Sequence, residues 1–267
     1  MHAAQTRKII LILFITFLSS CSQPKQSVPG YIEGEYTYIS SSVGGTLFQL
    51  IARRGQSIKK NMPLYQLDPE PQRSSVAVSK ANIANLQAQV ELAKIQLDRQ
   101  KQLFHKNASS KEAVDQATAD YISKTEQLAA NRAQLTESEW ALKQKAQYSP
   151  VEGDVSDTYY RQGETVPENR PVLAILDPAN IKVLFYVPET SLNQIKIGQV
   201  ITFSCDGCKT FTSARISFIS PEAEFTPPVI YSKDTRYKLV YLVRASMPKT
   251  IARAFHPGQP IDVYLPS

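Results

Sequence analysis

Apolar residues recur at every seventh position through the middle of the chain. Val76, Ile83, Val90, Leu97 and Phe104 form one stripe; after a polar interval, Val114, Tyr121, Leu128, Leu135 and Leu142 form a second. A sustained seven-residue repeat predicts a coiled coil. The stripes mirror one another, because 76 with 142, 83 with 135, 90 with 128, 97 with 121 and 104 with 114 share the midpoint 109. Two helices folded back at Ser109 bring those side chains face to face. The interval 105–112 is polar, and Ser109 followed by Glu112 matches a capping box opening the second helix. At the base, Asp68 before Pro69 supplies an N-cap residue and a proline in the first turn. At ~1.5 Å per residue, such arms reach on the order of 50 Å. Leu86, Ala93 and Ala117 suit the second seam position, whereas Ser79, Lys124, Asn131 and Lys145 do not. The seam is therefore narrow, and the Gln-, Ala-, Asn- and Lys-rich flanks suit solvent or a neighbouring hairpin.

On either side of the heptads the period drops to two. Gly45, Arg53, Gly55, Asn61 and Pro63 reappear 108 positions later as Gly153, Arg161, Gly163, Asn169 and Pro171. The aliphatic pairs Leu47/Val155, Ile58/Val166 and Leu67/Ile175 repeat with them. Internal self-similarity of this kind reports architecture. Each copy reads as short strands joined by tight turns. Neither copy closes a core alone, so the two are predicted to pack into one β-sandwich that the helical hairpin interrupts. Further strands are expected over 181–187, 200–203, 215–219, 239–245 and 261–265, enough for a small barrel. The fold class is thus α+β. Its predicted organisation is a leader over 1–20, a linker over 21–29, a strand and first half-sandwich over 30–68, the hairpin over 69–148, the second half over 149–178 and the barrel over 179–267.

The beginning of the chain sets a compartment. Arg7 and Lys8 precede a ten-residue apolar run over 9–18, too short to span a bilayer and right for a secretory leader. Small residues lead directly into Cys21, the pattern of a bacterial lipobox in which that cysteine is lipidated and tethers the protein to a membrane. An ordinary cleaved leader or a short uncleaved anchor is the plainer alternative. Removing Arg7 and Lys8 with the leader takes the formal net charge from +6 to +4, spread along the chain. No basic cluster with interleaved aromatics suggests nucleic-acid binding.

Catalytic chemistry finds little support. There is no nucleophile elbow, no HExxH and no phosphate-cradling loop. Asp98, Asp115 and Glu137 fall on helix faces, where solvation accounts for them. Cys205 and Cys208 enclose Asp206 and Gly207. Such a CxxC is half a zinc site, a redox pair or a disulfide. The scattered histidines His2, His105 and His256 disfavour zinc. The pair also lies between strand patterns rather than at a helix N-terminus, which disfavours redox chemistry. In an exported protein a turn-closing disulfide is the favoured reading. No cofactor is expected.

Taken together, these features resemble the HlyD-type periplasmic adaptors, or membrane fusion proteins, over nearly the whole chain after the leader. The resemblance implies that the split halves form a biotinyl-lipoyl domain in which the hairpin replaces the lysine-bearing turn of carrier proteins. It implies a β-barrel domain carried by residues 181–199 and the closing Pro257, Gly258, Gln259 and Pro260. Arg99, Leu103 and Ser110, at spacings of four and seven, are similar to the Arg-Leu-Ser motif with which such adaptors meet TolC-type outer-membrane channels. Their plainer roles are a solvated charge, flank packing and a helix cap. Gln162, just before Gly163, matches a glutamine that lines a channel constriction in macrolide-exporter adaptors; its plainer role is a turn residue. The stretch 221–232 is similar to the subgroup serving ABC-type exporters. The partners implied are an inner-membrane ABC permease and ATPase, a TolC-type channel, and further copies of the chain in a hexameric ring. The implied location is the periplasm, on a lipid anchor. A proton-driven pump adaptor and a structural envelope lipoprotein are the alternatives. Most adaptors of tripartite pumps continue into a membrane-proximal domain; none is expected within residues 22–267, because the linker over 22–29 is too short to contribute to one.

Overall fold

The computed structural model describes residues 27–208, 210–225 and 239–265. Cys21 and the leader, and the part of 221–232 after Phe225, lie outside them. Within the described residues the protein is a mixed α/β chain with a long helical hairpin, divided into two units: Glu35–Asp177, and a second made by Met1–Gly34 with Pro178–Ser267. The long strands β1 (Ser27–Ser40) and β8 (Pro171–Pro188) each contribute to both units.

In the first unit the repeat becomes a pseudo-two-fold. Its strands are β2 (Gly45–Leu50), β3 (Ser57–Ile58), β4 (Pro63–Leu67), β5 (Ala146–Tyr148), β6 (Gly153–Thr158) and β7 (Thr165–Val166), with the sandwich ends of β1 and β8. One sheet runs β5-β4-β2-β7, and β3 pairs with β6, which pairs with β8. The hydrogen bonds obey the 108-residue offset. Gly55 N–H donates to the Val155 carbonyl and Gly163 N–H to the Leu47 carbonyl, each at 2.8 Å. Asn61 N–H donates to Ser149, and Asn169 N–H to Ser41, again at 2.8 Å. Each half therefore satisfies backbone groups of the other, which is why neither half is a fold by itself. The shared core joins Leu47, Ile58, Leu64, Leu67, Val155, Val166, Leu173 and Ile175 around Tyr65.

One turn recurs throughout. In Arg53–Gln56, Arg161–Glu164, Lys196–Gln199 and His256–Gln259 the fourth residue's N–H donates to the first residue's carbonyl. The fourth side chain's Oε accepts in return from the first residue's N–H. The third residue is a glycine with φ between +78° and +91°, the demand of a type II turn. A glutamine or glutamate after the glycine thus closes a ring that the turn backbone alone leaves open.

The hairpin consists of α1 (Glu70–His105) and α2 (Lys111–Lys143). Its register follows the expected mirror: Ser79 Oγ lies 3.4 Å from Ser138 Oγ, and Lys80 Nζ pairs with Glu139 Oε1 at 3.2 Å. The seam carries Val76, Ser79, Ala93 and Leu97 against Leu128 and Ser138. Three expectations need correction. Phe104 is 42% exposed, because the seam steps from Gln100 to Leu103 as α1 ends. Ser110, not Ser109, caps α2; Ser109 Oγ instead donates to Gln100 Oε1 at 2.7 Å. Residues 146–148, assigned to the hairpin, form β5 and pair with β4. Lys145, which does not suit a seam by type, lies beyond the end of α2 and is 3% exposed.

The second unit is a closed six-stranded barrel in the order β1-β12-β9-β10-β11-β8, with β1 also pairing β8. The strands are β9 (Val200–Ser204), β10 (Thr212–Phe225), β11 (Leu239–Ser246) and β12 (Pro260–Tyr264) with the barrel ends of β1 and β8. Residues 27–34, placed with the half-sandwich or its linker by sequence, belong here because Ser27 to Tyr31 pair with β12. Gly30 permits the closure: a Cβ there would stand 2.6 Å from the Leu184 carbonyl oxygen. Alternate residues such as Val183, Phe185, Ile201, Phe203, Ile216 and Val263 fill the interior, and Phe203 meets Phe255 at 5.2 Å. Among the described residues no helix is long and apolar enough to cross a membrane.

Candidate functional site

The hairpin tip is held by two caps back to back. α1 ends in a Schellman motif: Asn107 adopts φ 54°, its N–H donates to Phe104, and Ala108 N–H donates to Leu103. Two residues later Ser110, in extended conformation, opens α2 by accepting from Ala113 N–H at 3.1 Å. The asparagine is there because its short polar side chain tolerates the left-handed region. This leaves a bend with its terminal backbone groups engaged and its side chains outward. Arg99 is exposed, Leu103 half-buried and Phe104 exposed one residue on. Arg99 and Leu103 stand one helical turn apart on one face. Ser110 lies at the bend with its oxygen occupied by the cap.

At the other candidate position, Gln162 is exposed at the crest of the Arg161–Glu164 turn. The turn is braced from both sides, with Gly163 N–H on the Leu47 carbonyl and Leu47 N–H on the Glu164 carbonyl, both at 2.8 Å. Tyr160 packs on the core beside it. Gln162 is therefore a free side chain on a rigid mount.

Cys205 and Cys208 are joined as a disulfide with Cα atoms 5.1 Å apart, across the turn from β9 to β10. Cys208 N–H donates to Cys205 and Gly207 has φ 82°, so the covalent bond stands where the other turns use a side-chain oxygen. Among the described residues no group of three His, Cys, Asp or Glu side chains is placed to hold a metal.

Sequence reasoning missed two polar features. In the barrel, Arg244 donates from Nε to Glu33 Oε2 at 2.8 Å while its guanidinium lies 5.9 Å from the Phe218 ring centre. Those residues are far apart in the chain, and nothing local links them. At the hairpin root, Lys145 directs Nζ to the Gly44 carbonyl at 2.7 Å. Burial pulls this ammonium below the ordinary lysine range, and the Asp68 carboxylate opposes that shift. A lysine at a seam position was a visible signal, but it read only as a poor fit.

No family model matches the chain. It is 32% identical over 193 residues to a UPF0194 membrane protein from Acidithiobacillus ferridurans, covering 71% of this chain and 54% of that relative. It is 24% identical over 213 residues to the macrolide export protein MacA of Yersinia pestis, covering 73% and 57%. The chain spans about half the length of these curated relatives. The membrane fusion protein Spr0693 of Streptococcus pneumoniae superposes with a TM-score of 0.68 at 15% identity, covering 91% of this chain and 99% of that one. That last likeness is one of fold.

Proposed function

We propose that this chain, which belongs to the HlyD-type membrane fusion protein family, is a non-enzymatic periplasmic adaptor linking an inner-membrane ABC-type exporter to a TolC-type outer-membrane channel. The observation that carries this reading is the hairpin: arms of 36 and 33 residues leave a two-fold sandwich and end in a double-capped bend with Arg99 and Phe104 exposed. A lever of that length, joined by a narrow seam with polar flanks, suits reaching and docking rather than catalysis. The sandwich is of the biotinyl-lipoyl type, with the hairpin where a carrier lysine turn would stand. Lipidation of Cys21 anchors the protein to the membrane, and six copies form a ring because a single hairpin encloses no conduit. Gln162 faces the ring's channel. Likeness to a macrolide export protein and the character of 221–232 favour an ABC partner over a proton-driven one.

Arg99→Asp, Leu103→Ser and Ser110→Arg are each expected to abolish export while the protein stays folded and bound to its transporter. Loss of the Ser110 cap alone costs about 0.5–2 kcal/mol and leaves the fold intact. Photocrosslinking from Asn107 is expected to trap an outer-membrane channel. Wild-type export in all three variants sinks the docking reading.

A further inference from the structure

The root of the hairpin brings three chain segments to one node. The entering segment passes through Leu67 and Asp68, the departing one through Gln144 and Lys145, and the turn before β2 runs through Ser41 to Gly45. Leu67 N–H donates to the Lys145 carbonyl at 2.8 Å, and Asp68 N–H to Thr46 at 2.8 Å. Ser41 Oγ donates to the Gln144 carbonyl at 3.0 Å, and Lys145 Nζ to the Gly44 carbonyl at 2.7 Å. Gly45 leaves the space for that ammonium, since a Cβ there would sit 2.7 Å from Nζ.

The pseudo-two-fold supplies an internal control. Moving by 108 positions maps Lys145 onto Thr37 and Asp68 onto Leu176. At the mate of Gly45, a Cβ on Gly153 would meet the Leu176 carbonyl carbon at 2.7 Å and Ile175 Cγ2 at 2.9 Å, with no charged side chain involved. The atoms nearest Gly153 are thus aliphatic or backbone. Among the described residues Lys145 is the one buried lysine, and it stands where the hairpin leaves the sandwich. Removing an ammonium from water is unfavourable unless hydrogen bonds and nearby charge compensate, so packing gives no reason for lysine where methionine would fill the space.

We propose that Lys145 is a positioning residue: its bond to Gly44, in the field of Asp68, fixes the angle at which the helical hairpin leaves the sandwich. Length makes that angle consequential. At ~1.5 Å per residue α1 is about 54 Å long, so a tilt of about 10° at the root displaces the tip by about 9 Å, more than the spacing of one helical turn. The consequence for docking rests on the adaptor reading above; the root mechanics do not.

The test places spin labels, through non-natural residues, at Lys60 on the sandwich and Asn107 at the tip of the full-length protein, and measures their distance distribution. Lys145→Met is expected to at least double its width while the thermal midpoint stays equal or rises. Lys145→Arg, which keeps a charged donor for the Gly44 carbonyl, is expected to keep the distribution narrow. A wild-type distribution in Lys145→Met overturns the proposal, whatever its export. A broadened distribution supports it; broadening with undiminished export would leave the root mechanics standing and count against the adaptor reading instead.

Discussion

Tyr65 offers a direct test of how the sandwich core is built. It lies on β4, is 1% exposed, and its hydroxyl has no hydrogen-bond partner among the described residues. Burial alone holds the phenol's pKa above its ordinary value. A buried hydroxyl left unpaired costs about 1–3 kcal/mol, whereas an apolar group of the same shape does not carry that penalty. Tyr65→Phe removes one oxygen and keeps the ring, so a gain of about 1 kcal/mol is expected at pH 7, after allowing for a small void. The sign also has a pH signature. Because the folded pKa is raised, the wild type is fully stabilised only below the unfolded value of about 10, and it loses about 1.4 kcal/mol per pH unit above it. At pH 11 the variant's advantage should therefore grow by about 1.4 kcal/mol. Chemical denaturation of both proteins at pH 7 and pH 11 measures this. A variant less stable than wild type by more than about 1 kcal/mol at pH 7, with no divergence at pH 11, would show that the hydroxyl is satisfied and the reasoning wrong.

Other substitutions separate the roles of residues that look alike in sequence. Gly153→Ala drives a methyl into the Leu176 backbone and should lower stability by at least about 1–3 kcal/mol, read from its denaturation midpoint. Gly55→Ala meets nothing within 4 Å and should cost only the strain of its φ of 78°, about 1–2 kcal/mol. Replacing Cys205 and Cys208 together by serine should cost little, at the low end of ~0–5 kcal/mol because the loop is short, and leave export intact; abolished export at normal protein levels would contradict a local role. Gln162→Ala should change transport rate without changing assembly, and equal flux for large and small substrates in wild type and variant would remove it from the site.

The local half of this architecture was legible in the residues themselves. A heptad stripe specifies helix and buried face together, so Val76, Leu97 and Leu128 could be placed on the buried face without coordinates. Repeated glycines and asparagines at positions needing positive φ announced the turns, and the 108-residue repeat announced two matching halves. The docking-tip residues were named from a resemblance in their spacing. Tertiary structure decided what depends on distant pairing. Residues 27–34 join the barrel because β12, more than two hundred positions away, offers their backbone groups partners. Phe104 turns outward because the end of α1, not the heptad, sets its direction. Gly45 and Gly153 occupy one motif position for different reasons, a lysine ammonium beside one and a backbone carbonyl beside the other. Lys145 reads as an error in a seam until the fold brings Gly44 and Asp68 to it. Period is a property of neighbours in sequence, whereas a buried charge is stable only where segments remote in the chain converge to meet it.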